Sequence, residues 1–287
     1  MTIRTVLVPV RGDGKGEGVL DHALFVARPF NAHIDVVHCR PRPQDILPFG
    51  FYVPAALKKQ IASSASQVAD DEEQHLKTIF NAYCQRNGME PETSRPWPLD
   101  RLSVSWREET GKMPDVVGSL GRLSDVIVIA RPDPKANIGF NTLQGALFDA
   151  GRLVLICPPR KPEMVGRSIA IGWNGTTEGA RAIAAALPVL RKASSAAILV
   201  GDIGERNALD AAALQDYLQI HEVTTSVHIF KSKETAVGQA LLRESVEAGA
   251  DSLLIGAYHH SLRRELVLGG VTQHIVENAQ IPVWMAH

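Results

Sequence analysis

The sequence predicts an α/β protein: two tandem doubly wound parallel-sheet domains. Near-continuously apolar runs of strand length alternate with segments of helical periodicity, as expected for a parallel sheet covered on both faces. The same succession occurs twice, at low fidelity, across 287 residues, a length that suits two domains of about 140 residues each. Between the two copies, Cys157-Pro-Pro-Arg-Lys-Pro-Glu-Met164 carries three prolines that stop secondary structure. The expected domains are therefore 1–160 and 165–287.

In the first copy, Thr5-Val-Leu-Val-Pro-Val-Arg-Gly12 reads as a buried strand ending in a Gly turn. A helix follows, with Val19, Leu20, Ala23, Leu24, Val26 and Ala27 as its core stripe. His33–His38 reads as the next strand, and a helical run extends to about Asn87. The second copy begins with Ser168-Ile-Ala-Ile-Gly-Trp-Asn-Gly175 and a helix whose stripe is Ala180, Ile183, Ala184, Leu187 and Leu190. Ala196–Gly201 is its second strand. Ser124–Ala130 then matches Ala250–Gly256, and the copies close with Arg152–Ile156 and Ile281–Met285. Right-handed crossovers settle most of the remaining topology.

Composition narrows the classes of function. Hydrophobic residues make up 45%, charged residues 21%, and the net charge is −1, which argues against a nucleic-acid binder or a membrane-surface binder. No apolar run approaches bilayer length, so no membrane partner is expected. Cys39, Cys84 and Cys157 are odd in number and lack CxxC spacing, which reads as buried, reduced thiols. The opening Met-Thr-Ile-Arg-Thr-Val-Leu-Val-Pro has no long apolar h-region or small-residue cleavage site. The expected compartment is the cytoplasm.

Two segments set the copies apart. The first carries a Pro-rich insertion, Arg40–Pro54, with aromatics at Phe49, Phe51 and Tyr52; a lid, a dimer contact and a packed loop all fit it. The second ends its strand Asp251-Ser-Leu-Leu-Ile-Gly256 in a loop that leads to Gly269-Gly270-Val271-Thr272 and a helical pattern. A helix N-terminus presents unpaired N–H groups and a partial positive charge, so a phosphate can be held by backbone alone. Glycines let it approach, because no Cβ stands in the way. A Gly-rich junction serving only tight packing is the alternative. The first copy has no glycine pair there: Val154 lies 29 residues after Asp125, whereas Val283 lies 32 after Asp251.

These residues resemble the universal stress protein family in its tandem two-domain form, over essentially the whole chain, which implies that the two domains pack about a pseudo-twofold axis. Nucleotide-binding members carry a glycine, two residues, a glycine, nine residues, then a glycine followed by serine or threonine. Here Gly256, Ala-Tyr, His259, the nine residues His260–Leu268 and Gly269-Gly270 meet that spacing, and Val271-Thr272 resembles the family's helix start. Ile171-Gly-Trp173-Asn174-Gly175-Thr176 resembles the first-strand motif in which an aspartate contacts adenine. The resemblance implies ATP or another adenine nucleotide at the sheet's C-terminal edge, where ligands of open α/β sheets also sit for topological reasons. It places phosphate and ribose at Gly256, Gly269, Gly270 and Thr272, and adenine at Asn174 and the Val200 region.

Three departures stand out. His259 replaces the second glycine, and its ring either donates to a phosphate or occupies the phosphate's space. Asn174 replaces the aspartate; an amide both accepts and donates, so pairing with adenine survives, as does a purely local role in the Trp-Asn-Gly turn. Gly270 lacks the hydroxyl, leaving Thr272 or Thr176 as substitutes. In the first copy, Arg131 and Pro132 stand where glycine freedom is required, so no nucleotide is expected there.

The resemblance implies a stress-response nucleotide-binding sensor or module. An interaction scaffold with a vestigial site is the alternative. No catalytic frame appears, and no Walker lysine follows Gly269-Gly270, so slow ATP hydrolysis is the most that is expected. Adjacent His259 and His260 diverge and no metal site is expected. Arg263 and Arg264, beside Glu265, read as solvated charges with phosphate contact as a second reading. A homodimer is a candidate assembly, with the Pro-rich insertion and the final strand, which holds Trp284, as candidate contacts.

Overall fold

A computed structural model of the chain describes residues 2–42, 55–201, 206–231, 237–257 and 270–287. The first half runs β1 (Thr5–Val10), α1 (Gly16–Ala27), β2 (His33–Arg40), α2 (Ala55–Arg86), β3 (Ser103–Thr110), α3 (Met113–Gly121), β4 (Val126–Ala130), α4 (Phe140–Gln144) and β5 (Leu153–Cys157). The second runs β6 (Ser168–Gly172), α5 (Thr177–Leu190), β7 (Ser195–Gly201), α6 (Arg206–Ile220), β8 (Thr225–Phe230), α7 (Val237–Glu247), β9 (Ser252–Gly256), α8 (Gly270–Asn278) and β10 (Val283–Ala286). No regular element lies between β5 and β6.

All ten strands form one sheet, ordered β3-β2-β1-β4-β5-β10-β9-β6-β7-β8. The order reads alike from either end, as a twofold relation between the halves requires. Every strand pair is parallel except the central one, where Val283, Trp284 and Met285 of β10 face Ile156, Leu155 and Val154 of β5 antiparallel. The final strand is therefore spent inside the chain. Trp284 is 1% exposed at the seam, which removes it as a candidate dimer contact: its strand has neighbours on both sides.

Each half begins its sheet in the same way. Asp125 Oδ2 accepts from the Arg4 and Thr5 amides at 2.7 and 2.9 Å. Asp251 accepts from Gly166, Arg167 and Ser168 at 2.7, 2.8 and 2.9 Å. A carboxylate that accepts several backbone N–H groups satisfies donors that would otherwise be orphaned at the strand ends.

The core forms two layers, one on each face of the sheet, and both run through the two halves. One joins Val19, Leu20, Val36 and Phe80 to Ile171, Ile183, Leu214 and Trp284. The other joins Leu7, Val117, Ile129 and Leu147 to Leu199, Leu241, Ile275 and Met285. The α1 stripe expected from its periodicity is buried throughout. In α5 the phase differs: Ala182, Ile183, Ala186, Val189 and Leu190 are buried, while Ala180 and Ala184 are exposed. Alanine carries too little apolar area to set a helix's rotation, and the branched residues win.

β3 and β8 were not among the expected strands. Both lie at sheet edges, where half-exposed sequences such as Ser-Val-Ser-Trp-Arg-Glu-Glu-Thr lack a continuous apolar run. Phe49, Phe51 and Tyr52 fall outside the described residues. Cys39, Cys84 and Cys157 are buried and free; burial pushes the first two thiols up to about 11 and raises Cys157 as well. No helix among the described residues is long and apolar enough to cross a membrane.

Candidate functional site

The expected site residues of the second half converge on the C-terminal edge of the sheet. Gly172 ends β6, Gly256 ends the neighbouring β9, and Val200 lies near the end of β7 on the other side of β6. The loop Trp173–Thr176 leads from β6 into α5, and α8 begins at Gly270. His259 and Gly269 lie outside the described residues, as do Arg263 and Arg264.

Gly256 is explained by close approach. A Cβ there would lie 2.4 Å from the Gly179 amide nitrogen and 2.6 Å from the Glu178 carbonyl carbon. The first turn of α5 thus lies across the end of β9, and only glycine permits it.

The turn before α5 is held by its own side chains. Asn174 Oδ1 accepts from the Thr176 amide at 3.3 Å and from Thr176 Oγ1 at 2.9 Å. Thr176 Oγ1 in turn accepts from the Gly179 amide at 3.2 Å, capping the helix. Gly175 between them has φ +72, a conformation that side chains resist. The turn occupies both acceptor positions of Asn174, whose amide nitrogen has no partner among the described residues. Thr176 is likewise engaged as a cap, so it does not supply the hydroxyl that Gly270 lacks.

The two helix N-termini beside β9 therefore differ. α5 is capped by Thr176 and carries Glu178 in its first turn. α8 has no acidic residue in its first turn, Gly270 has nothing among the described residues within 4 Å of where a Cβ would stand, and Val271 is exposed. Thr272 is buried against the core. Val200 is buried in β7, with its backbone in register with Ile229 of β8. Trp173 packs its ring beside Gly179, and its buried Nε1 has no hydrogen-bond partner among the described residues.

The corresponding edge of the first half is filled. Arg11 stands where Asn174 stands in the second half, and its guanidinium lies against Gly139 in the loop after β4. Arg11 pairs with Asp13 at 3.5 Å and Lys15 with Asp133 at 3.8 Å. Burial lowers the Arg11 pKa, with Asp13 acting in the opposite direction. Glu72 of α2 accepts from the Gly12 amide at 3.1 Å. Asp133 and Ile138 exchange backbone hydrogen bonds at 2.8 and 3.1 Å, closing the loop as a tight hairpin. Arg131 does not fill this space, as the sequence suggested; it reaches across to the Ala279 carbonyl of the second half at 2.8 Å. Arg11 does, a role invisible from its position beside a Gly turn.

Among the described residues, no group of three His, Cys, Asp or Glu side chains is placed to hold a metal.

Residues 178–287 match the family model of the universal stress protein family. Solved structures extend the likeness to the first half. A universal stress protein from Archaeoglobus fulgidus DSM 4304 superimposes with a TM-score of 0.67 at 15% identity, covering 99% of this chain and 96% of that one. A functionally unknown protein from Pseudomonas aeruginosa PAO1 gives 0.57 at 15% identity, with 99% and 92% covered. A putative universal stress protein from Pseudomonas aeruginosa UCBPP-PA14 gives 0.55 at 15% identity, with 99% and 93% covered. A search of curated proteins finds no match. At 15% identity, these likenesses over nearly the whole chain show a shared fold.

Proposed function

We propose that the second half binds an adenine nucleotide, ATP or a close relative, and that the protein acts as a nucleotide-responsive module in a stress response rather than as a fast enzyme. The observation that carries this reading is the contrast between the helix N-termini beside β9. α5 has its Gly179 amide capped by Thr176 and carries Glu178 in its first turn, whereas α8 begins at an exposed glycine with no acidic residue in its first turn to repel phosphate. The match of residues 178–287 to the universal stress protein family supports the choice of ligand. With its oxygen engaged in the turn, Asn174 has its amide nitrogen to offer, which suits a ring nitrogen of the base better than the exocyclic amino group.

Calorimetric titration of the purified protein with ATP and ADP tests the reading. Saturable binding at one site per chain is expected, and no heat at millimolar nucleotide would sink it. A His259→Gly variant that binds markedly tighter would show that the ring occupies phosphate space. Turnover should stay well below the roughly ten per second of ordinary enzymes, because no lysine follows Gly269-Gly270 to clamp the transferred phosphoryl group.

A further inference from the structure

The turn between β6 and α5 fixes the polarity of Asn174. The Gly179 amide donates to Thr176 Oγ1 at 3.2 Å. A backbone N–H only donates, so the hydroxyl accepts there and directs its own proton to Asn174 Oδ1, at 2.9 Å. The Thr176 amide donates to the same atom at 3.3 Å. Both of its neighbours are donors, so this atom is the side-chain oxygen, and its two lone pairs are occupied.

The amide nitrogen is what remains. It has no partner among the described residues, and Asn174 is exposed at the C-terminal edge of the sheet. From this position the site is offered a donor and no acceptor. An aspartate in the same turn would give one oxygen to the two donors and keep the other as an acceptor. The two side chains have nearly the same shape and opposite polarity.

Purines divide on that polarity. The exocyclic amino group of adenine donates, whereas a 6-oxopurine carries an accepting carbonyl in its place. A lone acceptor on the protein selects adenine through the amino group. A lone donor does not. It meets a ring nitrogen on adenine and, on a 6-oxopurine, either a ring nitrogen or the carbonyl.

We propose that Asn174 sets the base specificity of the second half's site, making it a purine-nucleotide site that takes a 6-oxopurine nucleotide at least as readily as ATP. The proposal rests on the nucleotide reading above and assigns the base within it. Thr176 is the positioning residue: its hydroxyl and its amide together hold the Asn174 oxygen toward α5. Gly175, at φ +72, gives the backbone the left-handed step that brings the two side chains together.

Calorimetric titration with ATP and with inosine triphosphate, which differ only in the base, tests the assignment. In the wild type, inosine triphosphate should bind as tightly as ATP to within about threefold, or more tightly, because neither base opposes the Asn174 donor. Asn174→Asp keeps both turn bonds and replaces the outward donor with an acceptor. The ratio of ATP affinity to inosine triphosphate affinity should then rise about tenfold, the ordinary consequence of opposing two acceptors. The ratio, unlike either affinity, is insensitive to the added charge, and unchanged thermal unfolding shows that the turn is kept. Thr176→Ala frees one lone pair of Asn174 and should move the ratio the same way by a smaller factor. Inosine triphosphate binding more than about tenfold weaker than ATP in the wild type overturns the proposal and leaves the nucleotide reading standing. A ratio unchanged in both variants does the same. No heat with either nucleotide overturns the nucleotide reading and the proposal together.

Discussion

In the first half, β4 ends on Ala130, and Arg11 lies across the loop that follows. In the second, β9 ends on Gly256, and Asn174 holds a turn at the position of Arg11. Five residues separate β1 from α1, and four separate β6 from α5. The shorter connection draws the first turn of α5 over the end of β9, where only glycine fits. The longer one leaves room for an alanine at the strand end and for a guanidinium beside it. One duplicated plan thus has two outcomes at the same sheet edge: a self-contained ionic cluster, and a helix N-terminus with its first glycine exposed. A small change of loop length and one change of side chain separate them.

The largest effect is expected where the halves are least separate. Trp284→Ala removes a fully buried ring from the seam and should cost about 3–5 kcal/mol, read from denaturant midpoints. Because both core layers cross the seam, the two halves should still unfold in a single transition. Two resolved transitions would mean that each half has its own core.

Gly256→Ala should come next. The added methyl meets backbone, which cannot swing aside as a side chain can, so a cost of about 1–3 kcal/mol and weakened nucleotide binding are expected. Ala130→Gly in the first half should cost no more than about 1 kcal/mol, the entropic penalty alone. Equal costs at the two positions would break the comparison.

Smaller effects address the ligand. Gly270→Asp places a carboxylate at the α8 N-terminus and should weaken nucleotide binding severalfold, equivalent to about 1 kcal/mol of lost anion attraction. Arg11→Ala should leave the stoichiometry at one nucleotide per chain, because the Asp133–Ile138 hairpin still closes that loop. Two bound nucleotides in calorimetry would show that Arg11 alone bars the first site.

The smallest expected effect concerns pH and belongs to the first half. His33 is buried between Ser103 and Ser105 at 2.8 and 2.9 Å, and burial lowers its pKa to about 4, against an opposing pull from Asp35 and Glu92. The unfolded chain, with an ordinary histidine, takes up a proton at higher pH than the folded one does. Stability should therefore be full above about 6.5 and should fall as the pH drops from there to about 4. Chemical denaturation across that range should show the slope, and His33→Gln should flatten it. β7, the counterpart of β2 in the second half, has no histidine.

Much of this was legible beforehand. The duplicated plan, the α1 stripe and the pause after Cys157 depend on patterns within one element, and each appeared where expected. The family resemblance rested on glycine spacing and is carried by the family match over residues 178–287. The edge strands β3 and β8 were missed because a strand with one neighbour has no need of a continuous apolar run. The α5 stripe was misphased because alanines punctuate both faces of that helix.

The sequence by itself determined the alternation of strands and helices, their duplication and the bare start of α8, because periodicity, proline and glycine act through the local backbone. Only the tertiary structure decided that β10 closes on β5, that Arg11 rather than Arg131 fills the first loop, that Gly256 answers to the α5 backbone, and that Asn174 is engaged by Thr176. Each of these depends on where a group meets a surface distant in the chain or a turn only the fold defines. Spacing along the sequence carries no measure of that distance.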